Sequence, residues 1–199
     1  MGLDPRSRAR FNLEGASVLL MDASPLGLEI LVQVLSGFGA KNLHRALSID
    51  EARDTIQRHI IDLAVVDAGP TGAGYEFITW LRRSKIEPNC FTPILVTAGH
   101  TPTHAVNQAR DCGADFVMRK PLTPKAVLER IIFISREGRK FVECDAYVGP
   151  DRRIKNLGVP GDGQGRRRDD LPPDVGEATQ PNLEQDAIDG LLTTLKVKI

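Results

Sequence analysis

The chain has 199 residues, 41% of them hydrophobic, and 26 basic side chains balance 26 acidic ones. Zero net charge removes the bulk electrostatic case for nucleic acid or a membrane surface, and no stretch approaches the roughly 20 apolar residues of a membrane helix. Cys90, Cys112 and Cys144 are odd in number and lack metal-ligand spacing, and the N-terminus lacks a signal-peptide pattern, so the reading is a cytoplasmic protein in a reducing setting.

Residues 1–15 are polar and read as a flexible N-terminus. Ser17-Val18-Leu19-Leu20-Met21-Asp22 is an apolar run closed by an acid, the pattern of a strand buried on both faces. Pro25 opens a helix with Leu28, Leu31, Leu35 and Phe38 at helical spacing, stopped by Gly37 and Gly39. Asn42 to Leu47 is a short strand. Ser48 and Glu51 then make a capping box ahead of an apolar stripe of Ile49, Ala52, Ile56 and Ile60. Asp62-Leu63-Ala64-Val65-Val66-Asp67 is the most apolar strand of the chain and also ends in an acid. Gly74 to Arg83 is helical, with Phe77, Ile78 and Leu81 inward. Thr92 to Thr97 is a fourth strand, and its helix runs from Thr103 to a stop at Gly113. Phe116-Val117-Met118 is a fifth strand followed by Lys120-Pro121. Thr123-Pro124 starts a helix with Val127, Leu128, Ile131, Ile132 and Ile134 inward.

Five strands alternating with five helices predict an α/β fold: a doubly wound parallel sheet, flavodoxin-like, in the order 2-1-3-4-5. In that order Asp22 and Asp67 are neighbours at the C-terminal rim, with Thr97 and Lys120 at the next two strand ends. Open α/β sheets bind ligands at that rim, so two acids, a hydroxyl and an ammonium converge where chemistry belongs.

The stretches "VLLMDASP", "DLAVVDAGPTGAGYEFITWLRR", "TPILVTAG" and "GADFVMRKPLTPKAVLERI" make residues 16–136 resemble a response-regulator receiver domain, the phosphorylatable half of two-component signalling. The resemblance implies Asp67 as phosphoacceptor, Thr97 as switch hydroxyl, Lys120 as the paired lysine, and Mg²⁺ held by Asp22, Asp67 and the carbonyl of Gly69. It also implies a histidine kinase or phosphotransfer protein as donor, a downstream protein as target, and a switch instead of an enzyme. A phosphodonor dianion meeting bare carboxylates is repelled, which is why a cation belongs beside them. Three positions depart from the family pattern. Ala23 stands where a second adjacent acid is usual, the run from Asp67 to Pro70 is one residue short, and Val117 takes the place of the switch aromatic. The alternative from the same residues is a pseudo-receiver that binds partners without phosphorylation.

Other residues carry plainer readings. Asp62 and Asp111 are edge charges, Trp80 is a half-buried helix residue, and Cys112 is a small core residue. His100 and His104 straddle a helix start and do not make a metal pair. "DASPLG" lacks the glycine pattern of a dinucleotide site.

The division that follows is a receiver over 16–138, a Gly/Pro/Arg-rich linker or arm over 139–181, and an amphipathic helix over 182–196. Phe141 to Val148 reads as a short extended arm. "YVGPDRR" resembles the tail of single-domain receivers of alpha-proteobacterial type, and with "GQGRRRDD" it offers arginines either balanced by acids in a solvated linker or arranged as an anion clamp for a cyclic dinucleotide. No helix-turn-helix pattern argues for DNA. In the last segment Leu183, Ala187, Ile188, Leu191, Leu192 and Leu195 form one apolar face. It needs its own receiver, a homodimer mate or a partner to cover it, and its acidic polar face argues against a membrane.

Overall fold

A computed structural model describes residues 12–136, 140–152 and Gln185. The amphipathic helix expected over 182–196, apart from Gln185, lies outside the described residues, as do 1–11 and the arginine cluster of 153–181.

Five parallel strands, β1 (Ser17–Met21), β2 (Asn42–Ala46), β3 (Leu63–Asp67), β4 (Ile94–Ala98) and β5 (Phe116–Arg119), form one sheet in the order β2-β1-β3-β4-β5. The expected order is the observed one. Helices α1 (Pro25–Gly37), α2 (Ile49–Arg58), α3 (Ala73–Arg83), α4 (Thr103–Asp111) and α5 (Pro124–Arg136) supply the crossovers. Because helices cover both faces, the central strands are apolar throughout: Ala64, Val65, Val66, Ile94, Leu95 and Val96 are all 0% exposed.

The local signals act as their chemistry dictates. Ser24 caps α1 by accepting from the Gly27 amide, with Pro25 in the first turn, where its missing N–H costs nothing. Ser48 caps α2 through the Glu51 amide, but the Glu51 carboxylate reaches the Leu47 amide and not that of Ser48, one residue outside a strict capping box. Ile60 leaves the expected stripe: α2 stops at Arg58, and Ile60 is 64% exposed. On α5, Val127 and Ile131 are buried while Leu128 and Ile132 are half-buried, so the inward face is narrower than the apolar pattern suggests. Residues 12–15 are tied down, contrary to the flexible reading. Leu13 is buried and its amide donates to the Phe38 carbonyl at 3.0 Å.

Past α5, the expected arm is a paired hairpin, β6 (Phe141–Cys144) with β7 (Tyr147–Pro150), antiparallel. It lies against α3 and the turn after α4. Tyr147 is buried, its hydroxyl donates to the Pro150 carbonyl at 2.7 Å, and Phe141 stacks edge-on against Phe91. Nearby, Arg82 is 3% exposed and binds the carbonyls of Gly113, Cys90 and Thr92 and the carboxylate of Asp115. One guanidinium thus joins α3, the turn before β4 and the start of β5.

Candidate functional site

The rim of the sheet is set by where the apolar runs stop. β3 ends at Asp67, and the β3–β4 register pairs Asp67 with Thr97. Beyond β5, Lys120 follows a main-chain bond from its amide to the Ala98 carbonyl at 2.8 Å, which fixes the direction in which its side chain leaves the strand. Asp22 follows β1, and its carboxylate is 2% exposed.

The four side chains meet. Lys120 Nζ lies 2.7 Å from Asp67 Oδ1 and 2.9 Å from Asp22 Oδ2, and Thr97 Oγ1 donates to Asp67 Oδ1 at 3.2 Å. The other oxygens are held by backbone amides: Ser24 N–H donates to Asp22 Oδ1 at 2.8 Å, and Gly69 N–H to Asp67 Oδ2 at 2.9 Å. An ammonium between two carboxylates, each braced by an amide, is a preorganised anion-handling site. Burial pulls the Lys120 pKa down, but the hydrogen bonds and negative charges of Asp67 and Asp22 outweigh it, so the net shift is upward and the ammonium is held charged.

Asp67 opens into a cleft of about 600 Å³, lined by Gly69, Tyr75, His100, His104 and Lys120 among others. Its side chain is 13% exposed, which is shielded yet reachable from the cleft. Burial, then the charges of Cys112 and Asp67, push the Tyr75 phenol up to about 12, so it presents a neutral hydroxyl there. Burial likewise pushes the Cys112 thiol up to about 12, in keeping with a core residue and not a reactive one.

Glycines let the backbone close on the site, and sequence reading passed over two of them. A Cβ on Gly27 would stand 2.2 Å from Asp22 Oδ2, and one on Gly74 would stand 2.1 Å from the Asp67 carbonyl oxygen. A glycine in the first turn of each of α1 and α3 was the available signal, since glycine weakens a helix unless something approaches closely.

The loop from Asp67 to Gly72 turns at Gly69, whose φ is +69°, a conformation that favours glycine. Its carbonyl accepts a long 3.4 Å bond from the Gly72 amide and belongs to the same cleft as Asp67. Ala23 is exposed beside Asp22 and offers no donor. Among the described residues no group of three or more His, Cys, Asp or Glu is set to hold a metal. The oxygen set of Asp22, Asp67 and the Gly69 carbonyl still fits Mg²⁺, a hard cation that makes do with one or two carboxylates plus water and phosphate oxygens. Asp62 and Asp111 do not reach the rim: Asp62 accepts from the Ser17 amide at 2.8 Å, and Asp111 pairs with Arg152. Arg152 also stacks over the Tyr147 ring at 4.0 Å. One arginine of the supposed anion clamp is therefore already engaged.

The family model for the response regulator receiver domain matches residues 18–132. A transcriptional regulatory protein of Bacillus subtilis (strain 168), YvrH, is 28% identical over 120 residues, covering 60% of this chain and 48% of its own length, so the chain spans about half of that curated relative. Among solved structures, a putative response regulator from Chloroflexus aurantiacus is 25% identical with a TM-score of 0.56, covering 61% of this chain and 98% of that one. The chemotaxis response regulator CheY4 of Vibrio cholerae is also 25% identical, with a TM-score of 0.54 over 60% of this chain and 98% of that one.

Proposed function

The chain belongs to the response regulator receiver family, and from that premise we propose that Asp67 accepts a phosphoryl group from a phosphohistidine and that the chain signals by protein–protein contact. The carrying observation is the Lys120 ammonium bonded to both Asp67 and Asp22, with Thr97 on the same Asp67 oxygen. Phosphorylation of an aspartate, Mg²⁺ binding, and exchange with histidine kinases or phosphotransfer proteins are general to the family.

The residues support an in-line transfer. An Asp67 oxygen forms the bond to phosphorus as the donor's P–N bond breaks, and the imidazole leaves with the bonding electrons and its proton. Lys120 stays charged throughout and offsets the negative charge gathering on the phosphoryl oxygens. Thr97, which donates to Asp67 Oδ1 at 3.2 Å, then leaves the carboxylate and donates to the phosphoryl group. Asp22, Asp67 and the Gly69 carbonyl would hold Mg²⁺, which supplies charge neutralisation between carboxylate and phosphate. The product adds a charge of about −1.5 to −2 at the rim, drawing Thr97 and the loop after β4 toward it. That movement biases the face formed by α4, β5 and α5, where a protein target would bind. In this reading the chain is a switch and not a turnover enzyme.

Ala23 favours a second reading, a receiver fold that binds partners without being phosphorylated. Beryllofluoride with Mg²⁺ separates the two. A rise in melting temperature that disappears in Asp67→Asn supports the phosphorylated switch, and no shift in the unsubstituted protein favours the silent module.

A further inference from the structure

Among the described residues β5 is the last strand of the sheet, and its outer edge presents main-chain groups that no neighbouring strand takes. Since the Lys120 amide bonds inward to Ala98, the alternating Val117 carbonyl and Arg119 amide face outward. The side chain of Gln185, 66 residues beyond Arg119, occupies them: its Oε1 accepts from the Arg119 amide at 3.0 Å and its Nε2 donates to the Val117 carbonyl at 3.2 Å. A carboxamide has one donor end and one acceptor end, so it imitates a peptide group of an added strand.

We propose that the outer edge of β5 is an intramolecular docking surface and that residues 182–196 of this chain are its occupant, anchored by Gln185. Charge agrees: the segment carries Glu184, Asp186 and Asp189, while β5 carries Arg119 and α5 carries Arg130, whose guanidinium lies over the Phe116 ring of β5. The apolar stripe that the sequence gives the segment, Leu183, Ile188, Leu191 and Leu192, needs cover, and Gln185 sits at the edge of β5. Between the two anchored residues lies Met118, paired with Thr97 across the β4–β5 ladder, so the contact sits one strand from the switch hydroxyl. Any protein that binds this edge must displace Gln185, and its apparent affinity falls by the docked fraction. The inference goes beyond the proposed phosphorylation and does not depend on it.

Amide hydrogen exchange on the full chain tests it. The Arg119 amide is expected to exchange about fivefold to tenfold faster in Gln185→Ala, the scale of a lost pair of partly exposed hydrogen bonds. Ile188→Asp, which keeps the carboxamide but breaks the stripe, is expected to do the same. The amide of Val65, in the central strand, should be unchanged in both and reports that the fold is intact. An unaltered Arg119 rate in either variant overturns the proposal. So does protection that grows with protein concentration, because Gln185 would then come from a second copy.

Discussion

The α-carbon of Gly27 carries no side chain because Asp22 Oδ2 lies where one would go, 2.2 Å from an ideal Cβ. Helix α1 closes on the carboxylate that Lys120 holds, and Asp22, at 2% exposure, has little room to yield. Gly27→Ala is therefore expected to cost about 1–3 kcal/mol as overpacking, and to push the Asp22 carboxylate away from Lys120. The readout that distinguishes this from mere loss of stability is the melting shift with beryllofluoride and Mg²⁺, which should shrink in a variant that still unfolds cooperatively. A full-sized shift in Gly27→Ala would mean that Asp22 is not needed where it stands.

Arg82 sets the second expectation. Its guanidinium serves three carbonyls and Asp115 at 2.8–3.1 Å, and its side chain is 1% exposed. Arg82→Met takes the guanidinium from three carbonyls and from the Asp115 carboxylate, which keeps the Ile94 amide at 2.8 Å but loses its ion pair, so a loss of about 3–5 kcal/mol is expected in urea unfolding. Adding Asp115→Asn to that variant should recover part of the loss, because the uncompensated charge goes while an oxygen stays for the Ile94 amide. By contrast, Arg58→Ala breaks an exposed pair with Asp54 and should cost at most about 1 kcal/mol.

These two residues mark what the sequence discloses and what it hides. Asp22, Asp67, Thr97 and Lys120 were legible because each closes or follows an apolar run, and strand order alone brings the ends of such runs to one rim. Arg82 was not, because an arginine in the last turn of α3 looks like an ordinary favourable charge at a helix C-terminus. Only the tertiary arrangement places Gly113, Cys90, Thr92 and Asp115 around it. The pairing of β6 with β7 was likewise hidden, although an extended arm was read there: the strands are short, and their packing brings Gly149 against Gly113 across a sequence gap that periodicity does not see. Gly149 stands there at φ +159°, with the Gly113 α-carbon 2.8 Å from where a Cβ would sit. Gln185 is the extreme case, since a lone glutamine carries no pattern that points to a strand edge.

Lys120 predicts a pH dependence. Its folded pKa is raised, so its contribution to stability is fully present below the unfolded value of 10.5 and is lost as pH rises through the folded value. Unfolding free energy should therefore fall more steeply above about pH 10.5 in the unsubstituted protein than in Lys120→Gln. Tyr75 and Tyr147, both pushed up to about 12, also cost stability in that range, but they are common to both proteins and cancel in the comparison. Parallel curves would show that the ammonium between Asp67 and Asp22 contributes nothing to the fold.

The exposed Ala23 offers a gain-of-function expectation. Besides the Gly69 carbonyl, a cation at the rim would have two carboxylates, those of Asp22 and Asp67, both of which Lys120 already partly neutralises. Ala23→Asp adds a third carboxylate at an exposed position, where a new acid buries no charge and costs little stability. A further negative oxygen within a few ångströms of a divalent ion, weakened by solvent, should tighten Mg²⁺ binding roughly tenfold. Titration of Mg²⁺ followed by melting temperature reads this directly, with Asp67→Asn in the same background as the control. If Ala23→Asp binds Mg²⁺ no more tightly, residue 23 does not face the ion, and the missing second acid is not what limits Mg²⁺ binding.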